Sequence, residues 1–446
     1  MFAAARTLAL GMFAMAALTP TTPAAAQHPA SHSSRIERVV SPGGVEAWLV
    51  RQTHLPMLAL SFAMRGGTAQ DPADRPGTAS LMAQMLDEGA GDIDAETFHR
   101  RLEERAIEMS FSAGRDALTG SVRTLTESRG EAFALLKQAL EKPRFDAAPL
   151  ARVRESVLSG IRRASTNPNS LASETFSATA FPNHPYGRRN TGTLEAVAAI
   201  TADDLRAMHR RIVARDRLKV AVVGDITAAE LGPLLDDVFG ALPAGTSLTP
   251  VPEIAMAAAG ERRVVPMDIP QAIIAFGLPG LKRDDPDFIA AFVMNHILGG
   301  GTFSSRLYTQ VREQRGLAYS ISSGLVTLDG TGLLSGGTST RSDRAAESLS
   351  VIETELRRMG SEGPTTIELE QAKRFLIGNW AMRFETSSQI ASNLIRIQLD
   401  GFEPDYLDRR NDLIEAVTLE DVRRVAKRLL GDPKLLVVVV GKPEGM

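Results

Sequence analysis

Residues 77–86 read GTASLMAQML, and helical spacing places positions 80, 83 and 84 on one face of the helix that they predict. A His-x-x-Glu-His pattern at these positions would offer two imidazoles and a general-base carboxylate to one metal ion. The chain has Ser80, Ala83 and Gln84 there instead. Because zinc takes nitrogen, sulfur and anionic oxygen donors, a hydroxyl, a methyl and an amide predict no zinc site on this helix.

This helix and a later segment, RESVLSGIRRASTNP at residues 154–168, resemble the zinc-site segments of the family of pitrilysin, insulin-degrading enzyme and the mitochondrial processing peptidase. The resemblance covers nearly all of the chain after its leader. The family's third zinc ligand is a glutamate, whose place falls on Gly160. The separation from Gln84 is 160 minus 84, or 76 residues, close to the family's interval. With four functional positions vacant together, the resemblance implies a non-catalytic member.

A second motif keeps the residues that the family places opposite the zinc. The segment NHILGGGTFSSRLYTQVREQRGLAYSISSG, at residues 295–324, resembles the family motif in which an arginine and a later tyrosine reach toward the metal site; they fall on Arg312 and Tyr319. A phenol O–H donates to a peptide carbonyl or an oxyanion, and a guanidinium holds substrate backbone or orients the phenol. The alternative is a half-buried ring with a satisfied hydroxyl. Arg315, between them, is interpreted as a solvated helix-end charge.

Two further segments are candidates for peptide binding. No G-K-[ST] follows Gly299, Gly300 and Gly301, so they indicate a helix end with a tight turn, where an extended peptide can approach the backbone, and not a phosphate loop. Residues 111–125, FSAGRDALTGSVRTL, resemble the edge strand on which active relatives add substrate as a further strand. An ordinary amphipathic strand is an equal alternative for that segment.

No other pattern in the sequence predicts a metal site or a nucleophile. There is no G-x-S-x-G motif, and none of the five histidines after the polar tail lies four residues from another histidine. The scattered histidines are His54, His99, His184, His209 and His296, and two more, His28 and His32, fall in a polar tail.

Comparison of the chain with itself shows two halves with one plan. LPMLALSFAMRGG, from residue 55, resembles IPQAIIAFGLPG, from residue 269; AITADDLRAMHRRIVARDRLKVAVVGD, from residue 199, resembles AVTLEDVRRVAKRLLGDPKLLVVVVGK, from residue 416. The offsets agree, since Pro270 minus Pro56 is 214 and Gly441 minus Gly224 is 217. Duplication into two similar domains is the direct interpretation.

Within each half, β-rich runs such as residues 45–50, 58–64 and 219–223 alternate with segments of helical period such as 131–140 and 205–212. Thr201 and Thr418 each precede an aspartate by three residues, Asp204 and Asp421, which predicts capping boxes. We therefore expect an α+β fold of two homologous α/β rolls, each a mostly antiparallel sheet with helices on one face. The resemblance implies that they face each other across a cleft.

The predicted domains are residues 36–241 and 262–446, joined by a linker at residues 242–261 that is rich in Pro, Ala and Gly and has the composition of a flexible hinge. Residues 1–26 have one cation, a short apolar stretch and small residues before Gln27, which predicts a cleavable signal peptide and export to the periplasm. The stretch is too short for a membrane anchor. With a net charge of -3 and no cysteine, we expect no nucleic-acid partner and no disulfide.

Two functions from different classes fit these observations. The first is the non-catalytic subunit of a heterodimeric zinc metallopeptidase that degrades peptides or small unfolded proteins. This chain would hold no cofactor and be inactive alone, and would supply Arg312 and Tyr319 to a homologous partner that carries H-x-x-E-H and the zinc. The second is a non-enzymatic peptide-binding or scaffold protein with a peptidase-like fold. The presence of the Arg/Tyr pair favours the first.

Overall fold

The computed structural model describes residues 36–245 and 247–445, so the predicted signal peptide, His28 and His32 lie outside the described residues. The strands are β1 Ile36–Val40, β2 Glu46–Arg51, β3 Met57–Arg65, β4 Glu108–Ala113, β5 Ala117–Leu125, β6 Leu218–Gly224, β7 Arg262–Val265, β8 Gln271–Pro279, β9 Ala318–Leu328, β10 Thr331–Arg341 and β11 Leu436–Val440. None of the described helices is long and apolar enough to cross a membrane.

Fourteen α-helices connect these strands in the described part of the chain. They are α1 Thr78–Ala83, α2 Ala95–Glu104, α3 Arg129–Glu141, α4 Ala147–Ser165, α5 Pro168–Ala180, α6 Leu194–Ala199, α7 Ala202–Ile212, α8 Ala228–Phe239, α9 Phe288–Asn295, α10 Ala345–Glu362, α11 Thr366–Gly378, α12 Ser387–Leu399, α13 Tyr406–Glu415 and α14 Leu419–Leu430.

The two sheets have the same topology. The first has the strand order β1-β2-β6-β3-β5-β4 and the second has the order β7-β11-β8-β10-β9. Apart from the additional edge strand β1, the orders correspond strand for strand. Only β2 with β6 and β7 with β11 are parallel pairs. The prediction of an α+β fold with two similar, mostly antiparallel sheets is confirmed.

The helix that precedes the last strand of each half begins at the predicted capping box. In α7 the Thr201 hydroxyl accepts from the Asp204 amide at 3.2 Å, and the Asp204 carboxylate accepts from the Thr201 amide at 2.8 Å. Thr418 and Asp421 do the same at the start of α14, at 3.1 and 3.0 Å. Each box satisfies two amides that the first turn leaves without intrahelical partners.

One face of each sheet packs against helices of its own half. In the first half, Leu60 and Phe62 of β3 belong to one core with residues of α3, α7 and α8. In the second half, Ile274 and Phe276 of β8 belong to the corresponding core with residues of α9, α10 and α14. Successive residues of a strand point to opposite faces of the sheet. The strand residues that alternate with these core residues therefore face the other side of each sheet, where different elements must bury them.

The second face of the first sheet is covered by a helix from the second half. Trp48, Ala221 and Val223 of that face pack against Ile390 and Leu394 of α12. The amide of Gln398, also on α12, donates to the backbone carbonyl of Val220 in β6 at 3.1 Å. Both faces of β2 and β6 are therefore buried, which explains why their sequences are almost continuously apolar.

The second face of the second sheet is covered in the same way by a helix from the first half. Phe176 and Ala180 of α5 pack against Leu436 and Val438 of β11. Helices α5 and α12 each have 13 residues, and both ends are offset by 219 positions, from Pro168 to Ser387 and from Ala180 to Leu399. The two halves thus exchange equivalent helices.

The predicted linker is irregular where it is described and is held by hydrogen bonds to both halves. Thr249 exchanges two hydrogen bonds with the Gln70 side chain, at 2.8 and 2.9 Å. The amide of Ala257 donates to the carbonyl of Ala180 at 2.8 Å, and the amide of Ile254 donates to the carbonyl of Gly330 at 3.0 Å. These contacts oppose the hinge motion that its composition suggests.

The HPYG turn at residues 184–187 joins the linker, the first half and the second half. The Nδ1 atom of His184 accepts from the Tyr186 amide at 3.2 Å, so its Nε2 atom donates to the carbonyl of Pro252 at 3.0 Å. The Tyr186 hydroxyl donates to the Asp116 carboxylate at 2.7 Å and accepts from the Gly330 amide at 3.1 Å. His184 is a structural residue of this junction and not a ligand.

Helix exchange predicts that the halves unfold together. Leu394 is fully buried against the first sheet, so Leu394→Ala is expected to lower the free energy of unfolding by about 2–5 kcal/mol. Urea transitions followed by tryptophan fluorescence and by far-UV circular dichroism should remain coincident. Leu413→Ala, at a partly exposed position of α13, is the control and should change stability by only about 0.5 kcal/mol. Two separated transitions would contradict the interlocked arrangement.

Candidate functional site

The four positions that correspond to a zinc site lie on two helices in contact, α1 and α4. Ser80 is half-buried, Ala83 is buried, and Gln84 is exposed at the end of α1. The Gln84 amide nitrogen donates back to the carbonyl of Ser80 at 3.2 Å. Gly160 is on α4, where an added Cβ would have one neighbour within 4 Å, the Arg163 Nη2 atom at 3.9 Å. The place for the third ligand is open but empty of a donor side chain.

Zinc does not fit this set of side chains. One hydroxyl and one amide are neutral oxygen donors, and neither Ala83 nor Gly160 offers any donor. Residues 36–245 and 247–445 contain no group of three or more His, Cys, Asp or Glu side chains that could hold a metal ion. His99 and His209 instead contact the backbone carbonyls of Asp87 and Leu140, at 3.1 and 2.7 Å.

A buried carboxylate holds α1 in place. Asp71 accepts from the backbone amides of Gly77 and Ala79 at 2.7 and 2.8 Å, at the helix N-terminus. Burial raises the pKa of Asp71 to about 7, against the effect of these two hydrogen bonds and of the Arg188 charge. Such capping stabilises the first turn of a helix. The Asp71 side chain therefore helps to fix the first turn of α1.

Arg312 and Tyr319 contact each other. The Arg312 guanidinium lies between two aromatic rings, 4.6 Å from the ring centre of Tyr319 and 4.8 Å from that of Tyr308. Arg312 belongs to a π-helical turn, Tyr308–Glu313, and Tyr319 to the start of edge strand β9. Tyr319 is 82% exposed, so the half-buried ring considered as its alternative is not what the structure shows. Cation–π contact orients the ring while its hydroxyl faces solvent.

The pair and the four vacant positions are not joined by any hydrogen bond or ion pair in the described part of the chain. Phe303 extends the exposed aromatic surface of the pair, since it is 70% exposed and its ring packs edge-on against Tyr308 at 5.3 Å. Arg315 lies to one side, where its guanidinium contacts the Gln310 carbonyl at 2.9 Å. The pair therefore faces outward from this chain.

The three consecutive glycines lie where α9 ends in a π-helical turn, His296–Gly300. A Cβ at Gly299 would come within 2.3 Å of the Ser323 hydroxyl, and one at Gly301 within 2.8 Å of the His296 carbonyl. Gly299 and Gly301 are buried, whereas Gly300 is exposed. Close packing against β9 explains Gly299, and close packing against His296 explains Gly301. Gly300 is the exposed residue of the three, although a Cβ there would lie 2.8 Å from the Asn295 side-chain nitrogen.

A buried ion pair that sequence analysis missed anchors the segment after these glycines. Arg306 donates from Nε and Nη2 to the two carboxylate oxygens of Glu368, at 2.6 and 2.8 Å, and to the carbonyl of Gly363 at 3.0 Å. Glu368 also completes the capping box of α11 with Thr365. The T-x-x-E pattern at residues 365–368 gave a signal for the cap, but nothing in the sequence linked it to Arg306.

The segment at residues 111–125 is a hairpin and not a single strand. Its first residues end β4, which is the edge of the first sheet, and the remainder is β5, which is paired on both sides by β3 and β4. Only the β4 side can accept an added strand. Strand β9 is the equivalent edge of the second sheet.

A cavity of about 1050 Å³ lies between the two halves. Ser112 of β4 and Thr119 of β5 line it from the first half, and residues of β9 and Gly300 line it from the second. Both sheet edges therefore contribute to its wall. This volume is at the upper end of small-molecule sites and is large enough for a peptide segment.

Comparison with known proteins identifies the family. The chain is 30% identical over 374 residues to a protein of Helicobacter pylori named non-peptidase homolog YmxG, covering 84% of this chain and 86% of that protein. The chain belongs to the insulinase family, peptidase family M16. The sequence model of Insulinase (Peptidase family M16) matches residues 52–194 of this M16 chain, and that of the Peptidase M16 inactive domain matches residues 199–376.

A solved structure and a second relative agree with this assignment. The crystal structure of a peptidase M16 inactive domain from Pseudomonas fluorescens is 28% identical, with a TM-score of 0.85, and the match covers 92% of this M16 chain and 98% of that one. An uncharacterized zinc protease of Streptomyces coelicolor is 26% identical over 412 residues, covering 91% of this chain and 89% of that protein. The chain is an inactive M16 member, as its vacant positions predict.

The vacant positions predict that zinc binding can be restored by supplying donors. The chain as it stands should retain no stoichiometric zinc after purification, whereas Ser80→His, Gln84→His and Gly160→Glu together should bind about one equivalent, because three protein ligands make an open zinc site. Metal analysis after gel filtration checks both. The matched control omits Gly160→Glu and should bind zinc at least about tenfold more weakly. Tight zinc in the unmodified chain would refute the analysis of α1.

The Arg306–Glu368 pair predicts a pH dependence of stability. Burial raises the pKa of Glu368, but the hydrogen bonds and charge of Arg306, with the Thr365 cap, outweigh it and lower the pKa from 4.5 to about 2. A depressed folded-state pKa contributes stability that is present above the unfolded value and lost as pH falls toward the folded one. Glu368→Gln should therefore be less stable than the parent near neutral pH, and the difference should narrow between pH 4.5 and 2.

Acid unfolding followed by circular dichroism checks this pH dependence. Glu370→Gln is the matched control, because it removes an exposed carboxylate from the same helix, and its acid transition should follow that of the parent. A Glu368→Gln curve parallel to the parent at all pH values would show that the ion pair does not anchor the segment.

Proposed function

We propose that this chain is the non-catalytic subunit of a heterodimeric zinc metallopeptidase that degrades peptides or small unfolded proteins. It holds no metal itself and supplies Arg312 and Tyr319 to the zinc site of a homologous partner that carries an intact H-x-x-E-H helix. The main support for this proposal is the contrast between the two halves. In the first half all four metal positions lack a suitable donor, while in the second half Tyr319 is 82% exposed and contacts Arg312.

Exposure supports a role in trans for this pair. A large aromatic side chain usually gains stability from burial, yet Tyr319 and Phe303 both present their rings to solvent beside a cation. An outward aromatic and arginine surface is typical of the residues that contribute most to protein interfaces. A partner seated on this surface would bury the rings and bring the Tyr319 hydroxyl to its substrate.

The chemistry that the pair supplies is electrostatic. The Tyr319 O–H donates a hydrogen bond to the carbonyl oxygen of a bound peptide, and this bond strengthens as negative charge develops on that oxygen. Arg312 keeps the ring oriented through the cation–π contact and adds positive charge nearby. Neither role requires a metal ion on this chain.

Peptides are the substrate class that the walls of the cavity support. Strands β4 and β9 are each one of the two edge strands of their sheets, and both reach the cavity. An extended peptide can pair its backbone with either edge, which selects for unfolded segments and against folded proteins. Gly300 is the one residue of the glycine triplet that this proposal places in contact with substrate.

Export to the periplasm, after cleavage of the signal peptide, is part of the same proposal. It rests on the sequence of residues 1–26. The partner would then be an exported homologue, and a gene beside this one that encodes H-x-x-E-H without the Arg/Tyr pair would support complementation.

A second candidate function is a non-enzymatic peptide-binding or scaffold protein. The cavity and its two sheet edges favour it, since an extended peptide can pair with an edge strand without any zinc site. It differs from the first proposal in one measurable respect, because a scaffold would leave the partner's turnover unchanged on mixing.

Tyr319→Phe tests the first proposal. This chain should hydrolyse no quenched fluorescent peptide alone, and mixing with the zinc-bearing partner should produce activity. In the mixture, Tyr319→Phe should lower kcat by about tenfold to a thousandfold, the scale for loss of one oxyanion donor. Arg315→Gln is the matched control, because it removes a nearby exposed charge outside the pair, and it should leave kcat unchanged. An unaltered kcat for Tyr319→Phe would reject its assigned role.

A further inference from the structure

Three arginines without a salt bridge among the described residues converge on one wall of the cavity, although the charge of one of them, Arg396, acts on the nearby Asp400 carboxylate. Arg383 follows α11, Arg396 is on α12 and Arg410 is on α13, and all three line the cavity. Arg410 is buried, while Arg383 and Arg396 are exposed to the cavity solvent. They come from three separate segments of the second half, so the fold and not a local run of sequence brings them together.

The other cations of the cavity wall are already neutralised. Arg65 pairs with Asp329 across the two halves, Lys282 with Glu253 at 2.6 Å, and Arg283 with Asp400 at 3.0 Å. No salt bridge to Arg383, Arg396 or Arg410 exists among the residues that the structure describes. The positive charge of the cavity is therefore concentrated where these three arginines lie.

Contacts with neutral groups hold Arg410 in position. Its Nη1 atom donates to the carbonyl of Leu376 at 2.8 Å and to the Asn411 side chain at 3.0 Å. Its guanidinium lies 4.4 Å from the ring centre of Trp380, and that of Arg383 lies 5.9 Å from the same ring. Two guanidiniums thus lie near one indole, and the hydrogen bonds of Arg410 fix the orientation of one of them.

We propose that Arg383, Arg396 and Arg410 form a carboxylate-binding subsite that anchors acidic peptides within the cavity. Guanidinium groups bind carboxylates through paired, charge-assisted hydrogen bonds. The carboxylate is either the C-terminus of the peptide or a glutamate or aspartate side chain. This inference rests on the proposed function to the extent that a peptide enters the cavity, but it concerns binding by this chain alone.

The electrostatic environment supports an anion at this place. Burial, together with the like charge of Arg383, lowers the pKa of Arg410 to about 10, and burial followed by the charge of Arg396 lowers the pKa of Arg383. The charge of Arg396 therefore acts against Arg383, and the charge of Arg383 acts against Arg410. A bound carboxylate would relieve this repulsion, and it would do so most strongly at low ionic strength.

Trp380 provides a direct measurement of binding. The chain has two tryptophans, so Trp48→Phe leaves Trp380 as the single emitter beside the subsite. This variant is titrated, without any partner, with a glutamate-rich extended peptide and with its glutamine counterpart, each as the free acid and as the C-terminal amide. The glutamate free acid should bind at least about tenfold more tightly than the glutamine amide at low salt, with a difference that falls as salt is added.

Matched substitutions identify the arginines responsible. Arg383→Gln with Arg396→Gln changes two exposed residues, so the fold should be retained, and it should abolish the charge preference. Arg374→Gln is the control, because it removes an exposed arginine of α11 that does not line the cavity, and the preference should persist. If amidation of the C-terminus alone abolishes the tighter binding, the subsite binds the C-terminal carboxylate. If exchange of glutamate for glutamine abolishes it, the subsite binds acidic side chains.

Equal binding of all four peptides, or a preference that survives in the double variant, overturns the subsite, as does a failure to bind any of them. The proposed function is judged separately by hydrolysis of a neutral peptide in the mixture with the partner. Hydrolysis without charge preference would leave that function standing and remove the subsite. If this chain binds peptides in a charge-dependent way but its mixture with the partner hydrolyses no peptide, the subsite stands and the proposed function is rejected.

Discussion

Reciprocal burial is the constraint on which this structure depends. Each sheet has an apolar face that its own half leaves open, and a helix from the other half covers it, α12 on the first sheet and α5 on the second. Since apolar burial is the main favourable contribution to folding, neither half completes its core alone. The cavity, the two edge strands and the linker contacts all take their relative positions from this exchange.

The same exchange limits what the linker can do. Its Pro, Ala and Gly composition indicates a hinge, but Thr249 and Ala257 are bonded to the first half and Ile254 to the second. Large opening of the cavity would break the helix packing as well as these bonds. The linker contacts and the exchanged helices therefore both oppose separation of the halves.

Much of the architecture could be predicted from the sequence, because it is encoded in local patterns. The capping boxes at Thr201 and Thr418, the apolar strands and the repeat offsets are all short-range signals, and they were enough for the fold class and for the vacant zinc positions. The extra strand β1, the exchange of α5 and α12, and the Arg306–Glu368 pair were not foreseen. The helix exchange and the ion pair join residues far apart in sequence, and a single chain carries no signal for such pairings. Strand β1 instead pairs locally with β2, with Val40 opposite Glu46, and it was missed because its run of five residues is short and mostly exposed.

The candidate site, like the fold, could be predicted only in part from the sequence. Arg312 and Tyr319 were found from a motif, but their mutual contact and the exposure of Tyr319 required the fold. Residues 111–125 looked like one strand, because the tight turn between β4 and β5 interrupts the apolar alternation only briefly. Loss of the zinc donors left α1 in place, since Asp71 and not a metal holds its first turn.

The matching of α5 to α12 has a consequence for the origin of this chain. A polypeptide with the length of one half would expose the apolar outer face of its sheet, and its equivalent helix would have no surface of its own to cover. Two identical copies could bury both apolar surfaces if each placed that helix on the sheet of the other, in an isologous, two-fold dimer. Joining two such copies in one polypeptide would keep the same exchange without any dependence on protein concentration.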